Sequence, residues 1–248
     1  YSGGGGESGY IAVHPQDPDL VFAGDHFWVS RYDHRTRDTK WVSPWPAMWY
    51  GWGARDVRYR FYWTYPIVFS PHDPNTLFAT SQYVHRTRDE GNSWETISPD
   101  LSRGDTSKME PTPRWGREEI AYYWGPTSRQ TNGDHWYGMI FTFAESPVAS
   151  GVLWAGSDDG LVHVSRDNGR SWQNVTPADL GEALLSIIEP SHHDAGTGYF
   201  AATRYKLQDR TPYLYKSTDY GRSWTRITRG IPDGDFTRVI RDDPQKRG

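Results

Sequence analysis

Cleaving a glycosidic bond takes two carboxyl groups about 5 to 10 Å apart on either side of it, so solitary acids outside repeated positions come first. The sequence offers Asp56, Glu118, Glu119, Glu145 and Asp158. Glu145 follows an apolar run at 140–143 that reads as an inner strand, which places it to line a central channel. Asp158-Asp159-Gly160 reads as a hairpin turn, and Glu118-Glu119 as a solvated face. Glu145, Asp56 and Glu118 remain as catalytic candidates, and no spacing makes a pair of them. A pocket for an acidic sugar would gather arginines, yet Arg55, Arg58, Arg60, Arg114, Arg117 and Arg204 show no spacing that singles out three. His72 and His193 fall in equivalent turns, so they read as turn residues; no metal site and no cofactor is expected. No glycine-rich loop links a strand to a helix as phosphate binding needs, so Gly3 to Gly6 reads as a flexible terminus.

Aromatic side chains are the other candidates for recognition. Trp49, Trp52, Trp115, Trp124 and Trp136 lie in two insertions, about 47–63 and 101–138, and are the expected ligand-binding residues. Exposed Trp and Tyr stack on sugars and anchor protein interfaces, and they also pack as a small extra core. Insertions of this length in a compact domain are commonly functional.

The elements that must position these residues repeat. Three segments fit Ser/Thr-x-Asp-x-Gly-x-x-Trp without a mismatch: 87–94 (TRDEGNSW), 165–172 (SRDNGRSW) and 217–224 (STDYGRSW). A longer, degraded copy without the glycine runs over 30–41. Short β-type runs flank each box, and a His/Ser-Pro-x-Asp-Pro turn precedes two of them, at 14–18 and 70–74. The box Asp is expected to accept turn amides, the Gly to take a positive φ, and the Trp to fold back under its hairpin. Asp89, Gly91, Trp94, Asp167, Gly169, Trp172, Asp219, Gly221 and Trp224 are therefore structural, because a catalytic acid is needed once and not once per repeat.

Four short strands in about 40 to 50 residues is the size of a propeller blade. The predicted fold is all-β: a partial β-propeller of four-stranded blades at about 9–46, 64–100, 139–178 and 184–231, with 235–248 opening a fifth. Composition agrees, with 25 Gly and 17 Pro for turns and an apolar content weighted to 13 Trp, 16 Tyr and 9 Phe. A net charge of −4 gives no footprint for nucleic acid, and no apolar run is long enough to span a membrane as a helix. The absence of cysteine excludes disulfides, thiolate metal sites and a Cys nucleophile.

The boxes resemble the Asp-box, or BNR, repeats of sialidases, family 74 xyloglucanases and sortilin ectodomains. The runs at 4–11, 31–36, 154–161 and 212–216 are similar to a bacterial subgroup labelled glycosyl hydrolase or sortilin-like. That resemblance implies a periplasmic or secreted protein longer than this chain, its further blades coming from its own continuation or a partner. Without an evident carboxylate pair, the expected function is a non-catalytic propeller that binds or scaffolds a protein partner. The alternatives are a xyloglucanase-type glycoside hydrolase, with a glycan as ligand, and a sortilin-like peptide receptor.

Overall fold

The computed structural model describes residues 5–6, 9–25, 28–45, 54–61, 64–109 and 138–247. Among them regular structure is all-β apart from two single 3-10 turns, Thr106–Lys108 and Tyr205–Leu207. The strands form four antiparallel four-stranded sheets, each a meander in chain order. Two compact units hold two sheets each.

The first unit contains β1(Ile11–Val13), β2(Leu20–Asp25), β3(Trp28–Asp33) and β4(Asp38–Trp41), then β5(Ile67–Phe69), β6(Leu77–Thr80), β7(Val84–Thr87) and β8(Glu95–Thr96). Second strands are buried on both faces, as Leu77–Thr80 is throughout, whereas the fourth strands are exposed. Phe22, Val29, Phe61, Tyr65, Ile67, Leu77 and Ala79 make one core across both sheets. The second unit contains β9(Ile140–Glu145), β10(Leu153–Ser157), β11(Val162–Ser165) and β12(Gln173–Asn174), then β13(Leu184–Pro190), β14(Gly198–Arg204), β15(Asp209–Ser217) and β16(Thr225–Arg226). Its core is built on Trp154, Leu185, Phe200 and Tyr215, all at most 1% exposed.

Each intact box is held by two side chains rather than one. In 217–224, Ser223 donates its amide to Asp219 Oδ1 (3.0 Å) and its hydroxyl to Oδ2 (2.6 Å). Ser217 Oγ accepts from the Gly221 amide (2.8 Å) while donating to Asp219 Oδ1 (2.8 Å). These donors hold the Asp219 carboxyl down at about 2, with Ser223 the largest cause. Asp89 and Asp167 repeat the pattern through Ser93 and Ser171. The box Trp differs from expectation: its indole N–H leaves its own hairpin. Trp94 donates to the Val42 carbonyl (2.6 Å), Trp172 to Ile97 (2.9 Å) and Trp224 to Val175 (2.6 Å). The ring thus covers the chain leaving the preceding repeat and satisfies a carbonyl there. In the degraded copy, Arg37 stands at φ 63° in place of a glycine, and the turn is tied by Asp33 accepting the Arg35 amide (2.9 Å).

Gly169 packs where a side chain cannot. Its φ is +87°, and an added β-carbon would sit 2.9 Å from the Ile97 carbonyl oxygen and side chain. Gly181, at φ +66°, has open space around it. Gly169→Ala is expected to cost about 2–4 kcal/mol, strain plus clash, against about 1 kcal/mol of strain alone for Gly181→Ala. Urea melts of the two variants compare them directly, and equal losses would rule out the clash.

Candidate functional site

In a meander, the hairpins from second to third strand share one sheet end with the connections leading to the next first strand. The opposite end carries the boxes, which hydrogen-bond to the first turn of their own sheet: His34 N to Asp19 O (2.9 Å), Asn168 N to Gly151 O (2.9 Å), Tyr220 N to Gly196 O (2.8 Å). Glu145 closes β9 at this box end. Its Oε1 accepts from the Gly151 amide (2.7 Å), and Oε2 is buried without a hydrogen-bond partner. A groove of about 790 Å³ in the second unit runs along 173–179 beside Trp224 and Arg222, and the Tyr215 hydroxyl donates to Asp179 there (2.9 Å).

The other end of the first unit gathers a different set. Asp25 and Trp28 pair across β2 and β3 at a hairpin tip. The Trp28 ring meets Trp41 at a centroid distance of 5.2 Å, and Trp41 is 59% exposed. On the connection from 42 to 66, Ala54 and Val57 pack with Met109 beneath Trp28 and Trp45. The Arg58 guanidinium lies 4.1 Å over Trp45. Asp56 is exposed on this connection and faces Arg55 (3.6 Å). The end thus combines a carboxylate, an aromatic surface and a cation.

Asp25 is approached from two sides. Tyr65, fully buried, donates its hydroxyl to the Trp28 carbonyl (2.6 Å). Burial, and then the Asp25 carboxylate, push that phenol far above its usual range, so it stays a donor. On the other side lies the glycine segment, read from sequence as flexible. Gly5 instead donates to Ser30 Oγ (2.9 Å) and Gly6 to the Gly24 carbonyl (3.1 Å). A β-carbon on Gly6 would strike the Asp25 carboxylate, and one on Gly9 the Gly24 carbonyl. Close approach of backbone requires glycine at Gly9, whereas at Gly6 the neighbour is the movable Asp25 side chain.

Of the sequence candidates, Asp56 lies on the 42–66 connection of the first unit, and Glu145 at the box end of its own sheet in the second. Asp158 lies beside Asp159, whose buried carboxylate accepts from Ser157 Oγ (2.5 Å) in a hairpin turn closed by Gly160 at φ +95°. Glu118, Glu119, Trp49, Trp52, Trp115, Trp124 and Trp136 lie outside the described residues. Asp25 is absent from the sequence candidates because its signal is tertiary: nothing local marks an Asp at a hairpin tip until the glycine run and Tyr65 close on it.

No family model matches the chain. It is 28% identical over 241 residues to an oligoxyloglucan-reducing end-specific xyloglucanase of Emericella nidulans, an alignment covering 91% of this chain and 24% of that protein. Its four antiparallel four-stranded sheets have the fold of β-propeller blades. The GH74 xyloglucanase of Xanthomonas campestris matches 94% of this chain and 32% of its own, with TM-score 0.53 and 18% identity. The extracellular domain of a B. thetaiotaomicron protein described as a one component system matches 90% of this chain and 23% of its own, with TM-score 0.51 and 10% identity. The chain therefore spans about a quarter of the curated relative's length.

These likenesses overturn the expectation of a non-catalytic scaffold that binds a protein partner: the curated relative is named a xyloglucanase, and a structural neighbour a GH74 xyloglucanase. The absence of paired spacing carries no weight against catalysis, because a propeller collects side chains from separate blades and its acids need no spacing in sequence.

Proposed function

We propose that the chain is part of a glycoside hydrolase of the xyloglucanase type, acting on a β-glucan with side branches. The supporting observation is the sequence likeness to a xyloglucanase along 91% of the chain. Asp25 supplies one of the two carboxylates such chemistry requires, and the Trp28–Trp41 pair beside it offers a stacking face for a sugar ring. Asp56, at the same sheet end, is the second carboxylate to test. Trp49, Trp52, Trp115, Trp124 and Trp136 are further candidates for sugar binding in this reading.

The finer placement in the bacterial Asp-box subgroup rests on the runs at 4–11, 31–36, 154–161 and 212–216. Residues 235–247 are taken as the opening of a next blade. Asp243 Oδ1 accepts the amides of Gln245 (2.8 Å) and Lys246 (3.1 Å), as His14 and Ser70 accept amides two and three residues on in earlier turns. An extracytoplasmic location follows from the substrate class, a cell-wall polymer; no helix among the described residues is long and apolar enough to cross a membrane.

Incubation with soluble xyloglucan oligosaccharides, followed by mass spectrometry and compared with unbranched cello-oligosaccharides, tests the reading. Cleavage of the branched substrate is expected. Folded protein that neither binds nor cleaves xyloglucan would refute the assignment.

A further inference from the structure

A carboxylate at a hairpin tip sits where a strand pair is loosest, and acid–base chemistry tolerates little movement. Asp25 and Trp28 are the last paired residues of β2 and β3. If Asp25 acts on a bond, something must fix that tip. The corresponding tips of two other sheets close on themselves. Between β6 and β7, Ser81 donates its amide to the Tyr83 carbonyl (2.9 Å) and accepts the Tyr83 amide on its hydroxyl (3.1 Å). Between β10 and β11, the Ser157 amide donates to the Leu161 carbonyl (2.9 Å), and Ser157 Oγ accepts the Leu161 amide (2.8 Å).

The β2–β3 tip is tied from outside. Tyr65, on the connection into β5, is fully buried and donates its hydroxyl to the Trp28 carbonyl (2.6 Å). The same phenol oxygen accepts the Asp25 backbone amide. One hydroxyl thus bonds both residues of the last pair, one on each strand, using its donor and an acceptor site there. The ring has no room to slide. Phe61 meets it edge-on at a centroid distance of 5.0 Å, and a β-carbon added to Gly24 would stand only 3.2 Å from its Cζ and hydroxyl oxygen.

Core packing does not explain the hydroxyl. Tyr65 shares its core with Phe22, Phe61 and Ile67, where plain hydrocarbon serves. Burying a hydroxyl costs free energy unless it is hydrogen-bonded, and a phenylalanine would fill nearly the same space without that cost. Both bonds the hydroxyl makes go to the backbone of the hairpin tip that carries Asp25.

We propose that Tyr65 is a positioning residue: its hydroxyl, bridging Asp25 and Trp28, holds the hairpin tip so that the Asp25 carboxylate meets the glycosidic bond in a single geometry. The role rests on the functional reading above, in which Asp25 works on a β-glucan. Being fully buried, Tyr65 reaches no substrate and acts only through Asp25.

Xyloglucan cleavage by variants of the full chain tests the role. Tyr65→Phe removes the bridge and keeps the ring; kcat should fall at least about tenfold, with KM within about threefold of native. Asp25→Asn combined with Tyr65→Phe should be no slower than Asp25→Asn alone, because the hydroxyl then has no carboxylate to position. A merely structural role would slow both backgrounds by the same factor, and that result overturns the proposal. So does a folded Tyr65→Phe protein with native kcat, which leaves the functional reading standing. Urea melts establish that each variant is folded. Should Tyr65→Phe not fold, Gly24→Ala takes its place: its β-carbon presses on the phenol oxygen, and kcat must fall in the native background but not beside Asp25→Asn. Folded native protein that leaves xyloglucan uncut overturns this role and the functional reading together.

Discussion

Asp25→Asn is expected to lower the rate of xyloglucan cleavage about a thousandfold while leaving affinity for the substrate within about threefold. The substitution is isosteric. It preserves the hairpin tip, the Tyr65–Trp28 hydrogen bond and the close approach of Gly6, and removes only the ability to hold or deliver a proton. A carboxylate acting on the glycosidic bond works in the transition state, so its loss falls on kcat and spares KM. One limb of the pH–rate profile should vanish with it. Asp56→Asn, run beside it, asks for the second acid: a comparable loss identifies the pair, and an unchanged rate assigns the second acid to another residue. An Asp25→Asn enzyme that keeps more than about a tenth of the native rate would remove Asp25 from the chemistry.

The fold was legible because its punctuation is local. A box Asp, its Ser or Thr and its Gly satisfy one another within eight residues, so 87–94, 165–172 and 217–224 announce their turns without help from the rest of the chain. What the boxes do for neighbouring repeats was not legible. The Trp indoles bond to carbonyls about 50 to 75 residues away, a partner that no local pattern names. The candidate site was read poorly for the same reason. Glu145 stood out by following an apolar run, but the antiparallel sense of β9 carries it to the box end, where its carboxylate serves a turn amide. Asp25 stood out by nothing, because Gly6 and Tyr65 approach it from two separate stretches of sequence. Gly5 and Gly6 are tied by hydrogen bonds where the sequence suggests flexibility, because glycine chosen for close approach and glycine chosen for flexibility look alike in a sequence.

Stability is expected to fall by about 4 kcal/mol between pH 7 and pH 4.5, and two buried histidines account for it. His85 and His163 occupy the same repeat position, opposite Ala79 and Ala155 on their second strands. Burial, with Arg58 adding to it, takes His85 down to about 3. Burial takes His163 to about 4, although the Asp100 carboxylate opposes the shift. His85 is comfortable as a neutral ring, with Ser81 Oγ at 2.9 Å from Nε2 and Thr96 Oγ1 at 3.1 Å from Nδ1, two hydroxyls that can each donate or accept. His163 Nδ1 is buried without a hydrogen-bond partner. Both folded-state values lie below the unfolded value of about 6.5, so on acidification the unfolded chain takes up protons that the folded chain refuses. The contribution is therefore complete above pH 6.5 and is lost as pH falls from there toward 4 and 3, at about 1.4 kcal/mol per pH unit for each group at most. The box carboxylates titrate in a lower window: Asp219, held at about 2, loses its contribution only as pH falls below the unfolded value of about 3.9. Urea melts at half-unit steps from pH 7 to 4.5 measure the slope, and His85→Gln should roughly halve it. Stability that stays flat between pH 7 and 5 would mean that water or a carboxylate reaches these rings when they charge, and that their burial is not what fixes their protonation.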